Sequence, residues 1–170
     1  MAFTTLPTLF AGMVLTGDHL TSIETAITEI RPIGAVKTAD QTNTTTTIAD
    51  DTELQIALAA STNYEGYANL IVNTSTAGDF KLQFSVPSGA TGYWSAITPS
   101  VAVTTTPYTG ALPIATQAQQ EGSASDIYCR ATFQLTTTNA GTFKVQHALN
   151  AASGTLTIKA ASILVARRII

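Results

Sequence analysis

Apolar and polar residues alternate over most of this chain, and that alternation predicts strands. The cleanest row is Phe80, Leu82, Phe84 and Val86, set against Lys81, Gln83 and Ser85. A period of two puts one set toward a core and the other toward water. Leu54, Ile56 and Leu58 alternate with Glu53, Gln55 and Ala57, and Cys129, Ala131, Phe133 and Leu135 form another inward row within Ile127 to Leu135. Further strands are expected at 67–72, 92–97, 142–147, 155–159 and 162–170, with short ones at Val101 and Val103 and in the polar stretch 37–48. Residues 107–113 carry prolines that suit an edge or a crossing loop, and 114–120 reads equally as strand or loop. Eight to ten strands with turns every eight to twelve residues predict an all-β fold.

One segment breaks the pattern. Leu20, Ile23, Ile27 and Ile30 recur at spacings of three and four, which predicts a short amphipathic helix over 16–31. Thr16 is its expected cap, and Arg31-Pro32 its end, because proline pushes the residue before it out of the helical region. Before it lies an apolar arm, 1–15, carrying Phe3, Leu6, Leu9 and Phe10. Such an arm is expected to dock on its own domain or on a neighbour.

A second regularity is internal. Ala77-Gly78-Asp79-Phe80-Lys81-Leu82-Gln83 returns as Ala140-Gly141-Thr142-Phe143-Lys144-Val145-Gln146. Each copy follows an alternating run and a small polar turn, so a hairpin used twice is expected, within two packed antiparallel sheets. The expected architecture is an antiparallel β-sandwich of jelly-roll type over 36–170, preceded by the arm and helix.

Composition narrows the function. The chain has 170 residues, only 11% of them charged, and roughly 30 threonines. Branched threonine suits a pleated face, and a surface so poor in charge favours subunits whose faces are covered by neighbours. A net charge of -3 argues against nucleic-acid binding, which needs a positive field. Arg167-Arg168 and the scattered lysines form no such patch. No run is long and apolar enough for a membrane helix. The single cysteine, Cys129, precludes an intrachain disulfide and is expected as a buried small hydrophobe.

Candidate chemistry is sparse. His19 and His147 have no spacing that ties them to Cys129 or to a nucleophilic serine, so no catalytic residue is assigned. His147 continues the Phe143, Val145 row and is expected partly buried or at a subunit contact. Asp50, Asp51 and Glu53, with Asp40 nearby, are the densest acidic group; their spacing is not that of a calcium loop, and they read as a turn. Neither metal nor other cofactor is expected. The aromatics Tyr64, Tyr67, Tyr93, Trp94, Tyr108 and Tyr128 are candidates for a surface that binds a glycan, with intersubunit contact the favoured use.

Several segments resemble virion structural proteins of bacteriophages with a jelly-roll body. The opening Leu15-Thr16-Gly17-Asp18-His19-Leu20-Thr21-Ser22-Ile23 carries the likeness. So do Lys37-Thr38-Ala39-Asp40-Gln41-Thr42, Ala49-Asp50-Asp51-Thr52-Glu53-Leu54 and Val86-Pro87-Ser88-Gly89-Ala90. The close, Gly154 to Ala160 and Leu164 to Ile169, fits the same group. The resemblance implies a non-enzymatic particle component: a head decoration or cement protein, or a tail- or fibre-associated one that binds a receptor or glycan. It implies a homotrimer, with the major capsid protein or other virion proteins as partners. Phe3, Leu6, Leu9, Phe10, Leu20, Ile23 and Ile27 would form its assembly interface.

Overall fold

The computed structural model describes residues 14, 16–75, 79–98, 108–113, 118–120 and 122–169. Helix α1 covers Gly17–Ile30. Twelve strands follow among the described residues: β1 Ile33–Val36, β2 Gln41–Asn43, β3 Ala49–Leu58, β4 Thr62–Thr74, β5 Phe80–Ser85 and β6 Thr91–Ile97, then β7 Tyr108–Leu112, β8 Ala118–Gln120, β9 Ile127–Thr137, β10 Gly141–Leu149, β11 Leu156–Ile158 and β12 Ile163–Ile169. The predicted arm, with Phe3, Leu6, Leu9 and Phe10, and the strand expected at Val101 and Val103 lie outside the described residues.

All pairings are antiparallel. The larger sheet runs β1-β12-β4-β9-β6-β7, with β11 and β2 also joined to it, and the smaller runs β3-β10-β5-β8. β1 pairs with β12 and β2 with β11, while β12 and β11 occupy successive stretches of β4. β1 and β2 are thus one strand and β11 and β12 another, both interrupted at the same level. Counted that way, eight body strands in chain order lie 1-8-3-6 in one sheet and 2-7-4-5 in the other. This is a jelly roll. The β6–β7 hairpin is inserted between β5 and β8 and widens the larger sheet beyond β9.

The duplicated segment is real, but it is not a hairpin. β4 lies in the larger sheet and β5 in the smaller, and the same holds for β9 and β10. Each copy is a crossing from one sheet to the other, and the copies pair with one another. β4 pairs with β9 over eleven positions and β5 with β10 over six. The strand expected at 142–147 therefore does not form a hairpin with 127–135: β10 lies between β3 and β5. The body also begins earlier than residue 36, because Ile33–Val36 already pairs with β12.

The core fills from alternate residues of both sheets, as the sequence pattern requires. Phe84 and Phe143 from the smaller sheet stack at 4.8 Å, and Phe133 and Trp94 from the larger meet Phe84 edge-on at 5.5 and 5.3 Å. Edge and offset contacts of this kind suit the ring quadrupoles. Room for the rings comes from the neighbours in register: Gly66 sits opposite Phe133, and Gly110 opposite Trp94. A Cβ on Gly66 would lie 2.1 Å from the Val165 carbonyl oxygen and 2.5 Å from the Phe133 ring.

The helix is capped as expected, with a reciprocal partner the sequence reading missed. The His19 N–H donates to Thr16 Oγ1, and the Thr16 N–H donates to His19 Nδ1 at 3.2 Å. His19 therefore plays the part usually given to Glu or Gln in a capping box. Along the helix, Thr21, Ser22, Thr25 and Thr28 hydroxyls donate to carbonyls four residues back. Of its residues with described side chains, only Ala26 is buried; Leu20 and Ile27 are 49% and 51% exposed.

Replacing Gly66 with Ala is expected to destabilise the domain by about 1–3 kcal/mol, the usual range for overpacking. Denaturant unfolding of the two forms measures it, and an unchanged midpoint would contradict the close approach.

Candidate functional site

Two arrangements go beyond ordinary packing: an open groove on the larger sheet and a charged cluster inside the sandwich. The groove follows from strand alternation. Because Cys129, Ala131, Phe133 and Leu135 turn inward on β9, Arg130, Thr132 and Gln134 must turn outward. Beside them lie Glu65 and Tyr67 from β4, Tyr93 and Ser95 from β6, and Thr109 and Ala111 from β7. With Val165 and Arg167 of β12 they line a hollow of about 950 Å³. Gly66, Trp94, Gly110 and Phe133 also border it, so the hollow lies behind the glycine and ring row described above.

Inside the groove, the Arg130 guanidinium sits over the Tyr67 ring at 5.5 Å. Arg167 is paired with Glu65 through both Nη2 and Nε. The Ser95 and Thr132 hydroxyls bond to each other at 2.8 Å. Tyr93 is 76% exposed.

The six candidate aromatics therefore separate, with Tyr128 on β9 45% exposed and outside the hollow's lining. Tyr93 stands in the groove. Tyr64 is a correction: it falls in the inward phase of β4, is fully buried, and its hydroxyl accepts the Ala59 N–H at 2.9 Å. Trp94 is likewise corrected, since its ring packs between Phe84 and Tyr108 and it is 3% exposed. Tyr108 is half-buried against it. Tyr67, a candidate from the sequence, stands in the groove beneath Arg130, which the sequence reading does not assign. The outward phase of β9 was the available signal.

The buried cluster starts from the interruption of β1/β2 and β11/β12. Ile33, Ala35 and Lys37 share one phase, and at Lys37 that phase points into the sandwich. The break is held by Lys37 N–H to Ser162 O and Ala161 N–H to Lys37 O, both 2.8 Å, with Ala161 in the left-handed region at φ 66°. On the facing strand, β3 carries three more residues than β10 between Gln55↔Lys144 and Asp50↔Gln146. In that bulge Asp51 turns inward, and its Oδ1 accepts the Glu53 and Leu54 N–H groups at 2.9 Å and Lys37 Nζ at 3.0 Å.

Lys37 and Asp51 side chains are wholly buried, with Nζ to Oδ2 at 2.9 Å, and Glu53 Oε2 lies 3.5 Å from Nζ. His147 completes the group, also fully buried, its Nε2 3.6 Å from Asp51 Oδ2. That separation is an electrostatic contact, beyond hydrogen-bond reach. Burial pushes the Asp51 carboxyl up, but the His147 ring, the Leu54 and Glu53 N–H groups and Lys37 together hold it well below the usual carboxylate range. Asp51 is thus more than a residue of a surface turn, and His147 is more deeply placed than expected.

Remaining candidates are accounted for locally. Asp50 is held ionised by Lys144 and Gln146, each at 2.6 Å. Burial pushes the Cys129 thiol up to about 11 against a weaker opposing bond from Thr98, which suppresses its thiolate and its nucleophilicity. Among the described residues no group of three or more His, Cys, Asp or Glu side chains is placed to hold a metal ion. No described helix is long and apolar enough to cross a membrane. Of the proposed interface residues, Leu20 and Ile27 are exposed and Ile23 is half-buried.

No family model matches the chain, and no curated protein matches it in sequence. Among solved structures it is similar to the infectious bursal disease virus Gx strain structure at 11% identity and a TM-score of 0.22, over 83% of this chain and 36% of that one. It is similar to the VP2 subviral particle of the same virus at 9% identity and a TM-score of 0.18, over 81% and 39%. The chain thus spans well under half the length of these proteins. Likeness this slight carries no argument, and the fold rests on the strand pairing.

Lys37→Met leaves the Asp51 charge buried without its partner and is expected to cost about 3–5 kcal/mol, read by denaturant unfolding. The Asp51 carboxyl is depressed in the folded state, so the unfolded chain binds the extra proton in acid. Stability should be at its plateau above about pH 4, the ordinary Asp range, and fall as pH drops further. Asp51→Asn should flatten part of that acid limb; an identical limb would remove Asp51 as its source.

Proposed function

We propose that this protein is a non-enzymatic structural subunit of a phage virion, a decoration or cement protein that packs as a homotrimer across capsomer joints. The jelly roll serves capsids, lectins and metal-binding cupins alike, so the fold alone does not choose. The described residues hold no metal-ligating cluster, and both histidines have structural surroundings. That weighs against the cupin and hydrolase uses.

The observation that carries the reading is the exposed apolar surface of α1. Among the helix's described side chains only Ala26 is buried, and Glu29 lies 4.0 Å from Arg168 of β12, while Leu20 and Ile27 stand in water, as does Val36 of the edge strand β1, 62% exposed. Apolar helix faces of this kind are covered by partners. Neighbouring copies and the major capsid protein are the partners this surface suits, and the virion is where they meet. Imaging of purified virions carrying a label on this chain tests the location directly.

A second reading is favoured by the groove: a tail- or fibre-associated module that binds a glycan, with the exposed ring of Tyr93 as a stacking platform. It replaces Trp94, whose ring is buried, as the anchor.

Leu20→Asp combined with Ile27→Asp is expected to convert the oligomer to monomer in native mass measurement at micromolar concentration. Both sites are exposed, so stability should change by no more than about 0.5 kcal/mol. A wild-type chain that is already monomeric and shows no affinity for capsids would defeat the decoration reading.

A further inference from the structure

We propose that the groove on the larger sheet binds a carboxylated glycan, one bearing a sialic or uronic acid, with Arg130 taking the carboxylate and Tyr93 stacking on a sugar face. This deepens the glycan reading above and rests on it.

Charge is the first argument. The groove contains two arginines and one glutamate, a net positive lining on a chain whose net charge is -3. Arg167 is already neutralised by Glu65. Arg130 makes no ion pair among the described residues, and its guanidinium lies over Tyr67 instead. A ring beneath the guanidinium fixes its plane while leaving its N–H edge free, and that fork matches a carboxylate in two parallel hydrogen bonds.

The surroundings suit a saccharide rather than a simple anion. Ser95, Thr109, Thr132 and Gln134 supply hydroxyl and amide groups along the same wall, the inventory that meets sugar hydroxyls. Tyr93 offers a broad apolar ring with a polar end, 76% exposed, for the C–H face of a pyranose. A volume of about 950 Å³ is at the upper end of small-ligand sites and accommodates a short oligosaccharide. All these groups project from paired strands, so the surface is formed before any ligand arrives.

The test is titration calorimetry at low salt with the full chain. Two probe pairs are used: sialyllactose against lactose, and trigalacturonate against its methyl ester. At least one carboxylated probe is expected to bind, with its neutral counterpart about tenfold weaker or worse, the loss expected for a charged hydrogen bond. Arg130→Ala should abolish that preference, Tyr93→Ala should weaken both members of the pair, and Arg31→Ala, outside the groove, should change nothing. Unchanged thermal unfolding shows that the variants remain folded. Equal binding of charged and neutral probes, insensitive to Arg130→Ala, would overturn the carboxylate assignment and leave a neutral-glycan groove. No binding of any probe would overturn the glycan reading as well.

Discussion

Two sheets share one largely apolar interior here, and everything else in the molecule is subordinate to that closure. Each strand must turn alternate side chains inward, and at the centre those side chains are rings. Phe84 and Phe143 from one layer meet Phe133 and Trp94 from the other, which fixes the spacing of the layers. Gly66 and Gly110 then have to be glycine: a Cβ at Gly66 would meet the Val165 carbonyl and the Phe133 ring, and one at Gly110 the Tyr108 and Trp94 rings. Sequence, pairing and packing are one constraint at this point.

The same closure explains the buried charges. A lysine in an inward phase would normally be excluded from such a core. Lys37 is tolerated because the facing strand bulges by three residues and brings Asp51 to it. The carboxylate also satisfies two backbone N–H groups that the bulge frees. The ion pair is therefore part of how β3 departs from β10, and removing either partner exposes the irregularity of the backbone along with a lone charge.

Faces were legible in the sequence, and neighbours were not. Period-two alternation identified the inward rows of β3, β5 and β9, the burial of Cys129 and the all-β class, while the internal repeat favoured the jelly roll. It could not say which strand lies beside which, because alternation is a property of one strand and pairing a property of two. That is why the repeated segment read as a hairpin, although its strands pair across the copies. Tyr64 and Trp94 are buried for a related reason: aromatic identity says nothing of phase, and the strands turn both inward. Lys37 was hidden by the polar stretch around it, and Asp51 by a bulge that shifts the phase of β3 between Asp51 and Leu54. The helix stripe at Leu20, Ile23 and Ile27 was readable as a helix, but what covers it depends on contacts that no single-chain pattern encodes.

Strand β12 lies between β1 and β4, and this has a consequence for how the protein is made. On a ribosome, β1 emerges before residues 163–166, its hydrogen-bonding partners in its own sheet among the described residues. Nearly the whole domain must leave the exit tunnel before the larger sheet can close, in keeping with the slow, non-local assembly of β topologies. Until then the unpaired edge of β4 is open to other nascent copies, so a polysome crowded with this message sets up a contest between finishing one chain and joining two.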